Sequence, residues 1–160
     1  MRKTQKDYLY AQYDYSRDFV FEGMVSGCCF AIKKETIEKM RGFDENTFLF
    51  GEEDIIGIKL MRMGQKAGVC VDSKVIHKGS TLIGKKPSPF NDYYRYVSAY
   101  YTLVQYANIN KLEQLIVSII NFGAFILKSI NNPDYLSKLR ALVREYKYIT
   151  KKSTNMLGGD

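Results

Sequence analysis

The sequence predicts a mixed α/β fold followed by a C-terminal helical segment of about three helices. Short apolar runs alternate with short helical patterns up to residue 87, whereas long periodic apolar patterns fill most of the remainder. The composition is that of a folded protein, with 46% hydrophobic residues among 160. We expect an α/β domain over 1–87, a basic helical segment over 88–150 and a disordered tail over 151–160.

The first part of the chain contains short strands and two short helices. Gly42 and Gly64 each follow a helical pattern, at the position where a left-handed C-cap requires glycine. The loop 78–87, which holds glycines and adjacent lysines, ends this part. The expected elements are an edge strand or arm within 1–22, a buried strand over 24–32, helices over 33–41 and 55–63, and strands over 67–71 and 74–76.

The second part reads as three helices. Ser88 is a good N-cap because Pro89 follows it at the first helical position. Further helices are expected over 111–130 and from Asp134 onward. Apolar residues recur in the first helix at intervals of three or four: Phe90, Tyr93, Val97, Tyr100, Val104 and Ala107.

The helix expected over 111–130 is apolar enough to raise the question of whether it spans a membrane. A spanning helix needs about 20 predominantly apolar residues. Four polar residues interrupt the run, namely Glu113, Gln114, Asn121 and Lys128. We therefore expect that it does not span. Lying in a membrane surface and packing between the other two helices are both open.

Charge and cysteine content narrow the functional classes. Residues 1–83 carry 13 Lys/Arg against 12 Asp/Glu, whereas residues 84–160 carry 11 against 5. The basic half suggests attachment to something anionic. Cys28, Cys29 and Cys70 show no metal-binding spacing, so we expect buried free thiols in a reducing compartment. The first residues lead into no apolar stretch, so no signal peptide is expected.

Three consecutive carboxylates, Glu52, Glu53 and Asp54, follow an aromatic, glycine-punctuated loop. Adjacent carboxylates repel one another, which raises the pKa of at least one of them. A carboxylate in this setting can act as a general base. The alternative is that the acids merely suit the positive end of a helix dipole.

Four motifs in a fixed order resemble the C-terminal half of a family-2 glycosyltransferase. The motifs are Ser-Gly-Cys-Cys-Phe-Ala-Ile (26–32), Gly-Phe-Asp-Glu (42–45), Phe-Leu-Phe-Gly-Glu-Glu-Asp (48–54), and Gly64 with His77. The family has the inverting GT-A type of fold, a Rossmann-like core, and includes bacterial rhamnosyl and other polysaccharide transferases. The resemblance covers roughly residues 23–80.

The resemblance implies a reaction and a set of site residues. A sugar would pass from a nucleotide-sugar donor to a saccharide or lipid-linked acceptor with inversion at the anomeric carbon. Asp54 would be the general base, with Glu53 beside it as the second catalytic residue. The substrate-binding residues that it implies are Gly27, Phe43, Asp44, Glu45, Glu52 and Ser80.

His77 is the only histidine in the chain. A lone histidine is more often a structural hydrogen-bonding side chain than a ligand. In the resembled family, a histidine at this place lies near the metal or the diphosphate, which makes His77 a candidate metal ligand. Lys78, Ser80, Lys85 and Lys86 would then meet diphosphate charge, although a solvated basic loop is the alternative for the last two lysines.

The chain departs from the family in one respect. Such enzymes hold Mg²⁺ or Mn²⁺ through an Asp-x-Asp element, and the sequence contains none. The divalent metal is therefore expected for a complete enzyme and left open for this chain. Because the donor-binding half is also missing, we expect a truncated or split transferase that works with a separate N-terminal half, and whether this chain alone is an enzyme stays open.

Two further classes compete with the transferase. The basic helices also suit a non-catalytic module that docks on an anionic membrane surface or on a partner. Nucleic acid is disfavoured as a partner, because no recognised nucleic-acid motif accompanies the positive charge. The expected location is the cytoplasm, with peripheral attachment at the inner face of the cell membrane as the variant that the basic helices suggest.

Overall fold

The computed structural model describes residues 18–22, 27–76 and 88–157. Within these ranges the fold is mixed α/β with a helical C-terminal part, as the sequence predicts. The Rossmann-like GT-A core is not confirmed. The described elements are strands β1 (Phe19–Glu22) and β2 (Ala67–Cys70), and helices α1 (Lys34–Lys39), α2 (Glu52–Arg62), α3 (Pro89–Gln105), α4 (Lys111–Asn131) and α5 (Asp134–Leu157).

The chain divides into two compact units. The sheet unit comprises residues 1–43 and 56–78, and the helical unit comprises residues 44–55 and 79–160. The division falls within α2. The acidic triplet belongs to the helical unit.

The sheet unit contains the two-stranded antiparallel sheet, in which Phe19 pairs with Cys70 and Glu22 with Ala67. Its small core is formed by Met40, Ile56 and Leu60. Gly68 lies where a side chain would collide with the Phe19 ring and with the Val20 carbonyl oxygen. The close approach of β1 therefore requires glycine at this position.

Helix α1 ends as the sequence predicts. Arg41 and Gly42 both have positive φ, and the Gly42 N–H donates to the Ile37 carbonyl oxygen at 2.9 Å. The Lys59 ammonium donates to the carbonyl oxygens of Met40 and Gly42 at 3.2 and 3.3 Å. These bonds satisfy carbonyl groups that a helix end leaves without partners.

Three sequence expectations for the sheet unit are wrong. The described part of the expected strand 24–32 has no strand structure, and residues 28–31 are exposed. All three cysteines are exposed rather than buried. The run of small residues around Gly27 has few β-branched side chains, so it has little to pack on a sheet. The expected strand 74–76 is also irregular, whereas the neighbouring expectation over 67–71 is confirmed by β2.

The starts of the helices in the helical unit follow their sequence signals. The Ser88 hydroxyl accepts a hydrogen bond from the Asn91 N–H at 3.1 Å, and Pro89 occupies the first turn of α3. Asn110 caps α4 and forms a reciprocal capping box with Glu113. Such caps satisfy backbone N–H groups that have no intrahelical partner. Helix α5 continues to Leu157, so the tail expected from residue 151 is helical over most of its length.

The core of the helical unit is rich in tyrosine. The Tyr100 and Tyr146 rings stack at 3.8 Å with an angle of 5° between their planes, and Phe125 and Leu142 are fully buried beside them. Helices α3 and α4 both pack on α5. The predicted periodic face of α3 is confirmed at its centre, although Phe90 at its start is exposed and Ala107 lies beyond the end of the helix.

Two hydrogen-bonded groups tie all three helices together. Asp92 of α3 accepts bonds from the Lys128 ammonium of α4 and the Tyr135 hydroxyl of α5, both at 2.7 Å. Asn121 of α4 donates to the Tyr146 hydroxyl of α5 at 2.7 Å, and this hydroxyl donates to the Tyr96 carbonyl oxygen of α3. The side chains of Asn121 and Lys128 of α4 therefore point towards the neighbouring helices.

Candidate functional site

The acidic triplet forms the first turn of α2, where Glu52, Glu53 and Asp54 follow Gly51 directly. Gly51 has a φ of 85°, and the Ile55 N–H donates to its carbonyl oxygen at 3.1 Å. Negative side chains at a helix start interact favourably with the helix dipole. The expected loop–helix junction is therefore present, although the helix begins earlier than residue 55.

The Asp54 carboxyl group holds its proton more tightly than an ordinary aspartate does. Partial burial of the carboxyl group, together with the negative charge of Glu53, raises its pKa above the usual range. Among the described residues, no hydrogen-bond donor contacts the Asp54 carboxylate. A carboxylate without a donor from the described part of the chain, and with a raised pKa, can accept a proton from a bound molecule.

Asp44 is held in a network of hydrogen bonds. Its Oδ1 accepts from the backbone N–H and the side-chain amide of Asn46 at 2.8 and 2.7 Å. Its Oδ2 accepts from the hydroxyls of Tyr101, at 2.9 Å, and Tyr106. Burial alone would raise the pKa of Asp44, but the bonds from Tyr106, Asn46 and Tyr101 outweigh it and lower the pKa to about 2. Asp44 therefore anchors its loop to the C-terminal end of α3.

The loop that leads to the triplet lies against α3. The Ser98 hydroxyl donates to the Leu49 carbonyl oxygen at 2.8 Å, and a Cβ on Gly51 would lie 3.3 Å from the Ser98 Cβ. Phe50 has a φ of 67°, which is uncommon for a bulky side chain, and the Arg95 guanidinium lies 4.9 Å from its ring centre. Packing on α3 thus holds a strained backbone immediately before the acidic turn.

A cluster of four aromatic rings, two exposed and two half-buried, borders this loop and was not predicted from the sequence. Phe48 is 74% exposed, and its ring centre lies 4.9 Å from that of Tyr94. Tyr94 also contacts Phe90 and Tyr93 at 4.8 and 5.0 Å. We call Phe48, Phe90, Tyr93 and Tyr94 the aromatic platform. The spacing of Phe90 and Tyr94, four residues apart on a helix, was the available signal.

The other described site residues that were predicted are divided between the two units. Gly27, half-buried in a turn, and Phe43, 54% exposed, belong to the sheet unit, where the Phe43 ring contacts Phe30 edge-on at 6.3 Å. This contact brings together two of the motifs quoted for the family resemblance. Glu45, in the helical unit, is exposed. His77 and Ser80 lie outside the described residues, so their predicted roles stay predictions.

The described residues do not fit a divalent metal. Within them, no group of three or more His, Cys, Asp or Glu side chains could hold an ion. The three acids of the triplet are consecutive on a helix, so their carboxylates point in different directions. The expectation of Mg²⁺ or Mn²⁺ in a complete enzyme stays a proposal.

No family model, curated protein or solved structure matches the chain.

Proposed function

We propose that the chain is the acceptor-binding half of an inverting glycosyltransferase, with Asp54 as its general base. The donor would be a nucleotide sugar, and its binding site would come from a separate N-terminal half. The acceptor would be a saccharide or a lipid-linked saccharide. The proposal rests on the ordered motifs of the sequence and on the raised pKa of Asp54.

The observation that carries the proposal is the contrast between Asp44 and Asp54 within one unit. Asp44 has both oxygens occupied and a lowered pKa, so it is poorly suited to accept a proton. Asp54 has a raised pKa at an accessible helix start. Base catalysis requires a free acceptor oxygen and a proton affinity closer to the working pH.

The aromatic platform supports a saccharide acceptor. Carbon-bound hydrogens make one face of many sugar rings apolar, and such faces pack on aromatic rings. Phe48 and Phe90 offer exposed ring surface in the same unit as the acidic turn. Aromatic walls with a few polar groups are typical of small-molecule sites. We expect the platform to bind the acceptor.

The proposed step is a single displacement. The acceptor hydroxyl oxygen forms a bond to the anomeric carbon while its proton moves to the Asp54 carboxylate. The bond between the anomeric carbon and the diphosphate oxygen breaks, and the nucleoside diphosphate leaves with the electron pair. A base of this kind typically accelerates a reaction by about 10²–10⁴-fold. Asp44 and the packing of its loop on α3 would keep the acidic turn in position.

The replacement Asp54→Asn tests the proposal directly. It keeps the shape of the side chain but removes the proton acceptor, so we expect kcat to fall by about 10²–10⁴-fold with KM changed little. The measurement is sugar transfer by the purified chain mixed with a candidate N-terminal half. Binding of the nucleotide sugar to the mixture is measured separately by calorimetry.

Glu35→Gln is the matched control, because Glu35 is an exposed carboxylate in α1 of the sheet unit. It should leave kcat unchanged. Phe48→Ala should raise KM for the acceptor and leave the affinity for the donor unchanged. The proposal is wrong if the mixture binds no nucleotide sugar. It is also wrong if the mixture transfers sugar and the Asp54→Asn variant transfers it equally well.

A further inference from the structure

We propose that helices α4 and α5 dock the helical unit in the plane of an anionic lipid bilayer. The outward face of α4 would enter the boundary of the acyl chains, and basic residues of α5 would contact the lipid phosphates. This inference concerns where the helices lie and is independent of any role of Asp54. It can fail while the proposed glycosyl transfer holds, and the reverse is also true.

The first observation is that α4 exposes its apolar side chains, whereas Asn121 and Lys128 face the neighbouring helices. At 100° per residue, its exposed large apolar side chains fall within an arc of about 140°, with Gly123 near the middle. No charged residue of α4 lies within that arc. The exposed side chains are Leu112, Leu115, Ile116, Ile119, Ile120, Ile126, Leu127 and Ile130. We call this surface the apolar face.

The polar residues of α4 explain why the apolar face is outward. Lys128 is bound to Asp92 of α3, and Asn121 donates to the Tyr146 hydroxyl of α5. These bonds fix the rotation of the helix about its axis. Soluble proteins rarely expose contiguous apolar patches of this kind unless the patch binds a partner or a membrane.

The second observation is a row of cations on α5. Arg140, Arg144, Lys147 and Lys151 are all exposed and fall within an arc of about 60°. Within the described part of α5, neither acidic residue, Asp134 or Glu145, falls inside this arc. We call these four residues the basic stripe. Cations near an anionic lipid surface contribute to membrane affinity individually.

The apolar face and the basic stripe lie on either side of an open groove. Phe122, which is one helical turn from Ile119 and from Ile126, places the apolar face beside this groove. The groove, of about 300 Å³, runs between α4 and α5, with Ser118 and Phe122 on one side and Lys147 and Lys151 on the other. Tyr100, Val143, Tyr146 and Thr150 complete its lining. Apolar surface therefore passes directly into positive charge, as acyl chains pass into phosphates at the surface of a bilayer.

The packing favours lying in the surface over crossing it. Helix α4 is long and apolar enough to cross a membrane by length and composition, and 11% of its apolar window is buried. The middle of α4 is held against α5 by the hydrogen bond from Asn121 to Tyr146 and by the ring contact of Phe125 with Tyr135. A crossing α4 would draw the basic stripe into hydrocarbon, which is costly for charged side chains.

A second copy of the chain is a poorer occupant of the apolar face. A two-fold symmetric contact would use the same surface of both copies. It would bring two basic stripes towards each other, and like charges at an interface oppose association. An anionic bilayer instead supplies both the apolar layer and the opposite charge.

Tryptophan fluorescence gives a direct test, because the chain contains no tryptophan. Ile119→Trp places one fluorophore in the apolar face. Ile76→Trp, at a position that is 94% exposed in the sheet unit, is its control. With vesicles of phosphatidylcholine and phosphatidylglycerol, we expect the Ile119→Trp emission to shift to shorter wavelength and to be quenched by lipids brominated on their acyl chains. The control emission should not change.

The charge requirement is tested with Arg140→Gln/Arg144→Gln in the same vesicles. At roughly 1 kcal/mol per cation near the surface, binding should weaken by about 30-fold. Lys39→Gln/Lys74→Gln removes two exposed charges from the sheet unit and should change binding much less. Added salt should weaken the wild type more than the Arg140→Gln/Arg144→Gln variant.

Three results would each overturn the proposal. The first is an Ile119→Trp emission that anionic vesicles leave unchanged. The second is equal binding to vesicles of phosphatidylcholine alone. The third is a dimer, seen by light scattering without lipid, in which the Ile119→Trp emission is already shifted, because a second copy then covers the apolar face.

Discussion

Asp44 and Asp54 belong to the same acid-rich segment, yet their pKa values move in opposite directions. Hydrogen bonds lower the pKa of Asp44, whereas partial burial and the charge of Glu53 raise the pKa of Asp54. Asp44 accepts from donors 57 and 62 positions later in the chain, whereas Asp54 faces the negative charge of Glu53. Two aspartates of the helical unit therefore differ in how readily they accept a proton.

Replacement of Asp44 by Asn should destabilise the helical unit. The amide cannot accept all the bonds that the carboxylate accepts, so we expect a loss of about 1–2 kcal/mol of unfolding free energy at neutral pH, after allowing for solvent screening. Urea unfolding of the wild type and of Asp44→Asn measures it. Glu45→Gln, which changes an exposed carboxylate next to it, should have no comparable effect.

The same residue predicts an acid dependence. The pKa of Asp44 is about 2 in the folded chain, below the ordinary 3.8, so its stabilisation is complete above about pH 4. It is lost as the pH falls from about 4 towards about 2. The wild type should therefore lose more stability than Asp44→Asn over this interval. Parallel losses in the two proteins would contradict the assignment of Asp44 as an anchor.

Part of the candidate site could be predicted from residues that are close in sequence. The three adjacent carboxylates indicated that at least one pKa would rise, and that of Asp54 does. The contacts of Asp44 with Tyr101 and Tyr106 could not be predicted, because periodicity does not show which loop a helix will contact. The aromatic platform was missed for the same reason, since Phe48 and Tyr94 meet only after α3 packs on the loop.

Among the helices and strands, sequence signals predicted helix ends correctly where the residue itself restricts the backbone geometry. Proline and serine at Ser88–Pro89, and glycine at Gly42 and Gly64, set helix ends that the structure has. The strand expected over 24–32 failed in its described part. Apolar composition alone does not make a strand, because strand pairing depends on a partner elsewhere in the chain.

Gly68→Ala should destabilise the sheet unit. The new methyl group would collide with the Phe19 ring and lie within 2.5 Å of the Val20 carbonyl oxygen, which cannot move without shifting β1. We expect a loss of about 1–3 kcal/mol, measured by urea unfolding. Loss of the β1–β2 amide protection in hydrogen exchange would accompany it.

Gly123→Ala is the matched comparison. A methyl group there meets nothing within 4 Å, and Gly123 lies inside α4, where alanine is the better helix former. The variant should gain about 0.5–1 kcal/mol. Equal effects of the two replacements would show that backbone propensity, and not the contact with Phe19, governs Gly68.

For the helical unit as a whole, cohesion depends on polar links as well as on its aromatic core. Asp92 joins α3 to Lys128 of α4 and to Tyr135 of α5. Burial would raise the pKa of Asp92, but the bonds from Lys128 and Tyr135 and the charge of Lys128 lower it. The same link orients the apolar face of α4 outward.

Tyr135→Phe should weaken the three-helix assembly. It keeps the buried ring but removes one hydrogen bond to Asp92, so we expect a loss of about 1–2 kcal/mol in the unfolding free energy. Thermal unfolding followed by circular dichroism measures it. Tyr148→Phe, at a residue that is 60% exposed, should be close to neutral. Equal losses in the two variants would show that the Asp92 link contributes nothing.

The tyrosines of the helical core make its unfolding visible at alkaline pH. Burial raises the pKa of Tyr135 to about 12 and raises those of Tyr101 and Tyr146 further above the ordinary 10.0. Because the unfolded chain releases these protons at lower pH than the folded chain, stability falls as the pH rises above about 10. Since the chain has no tryptophan, the part of the tyrosinate absorbance that comes from these three residues should rise without interference, in a cooperative step as the core opens.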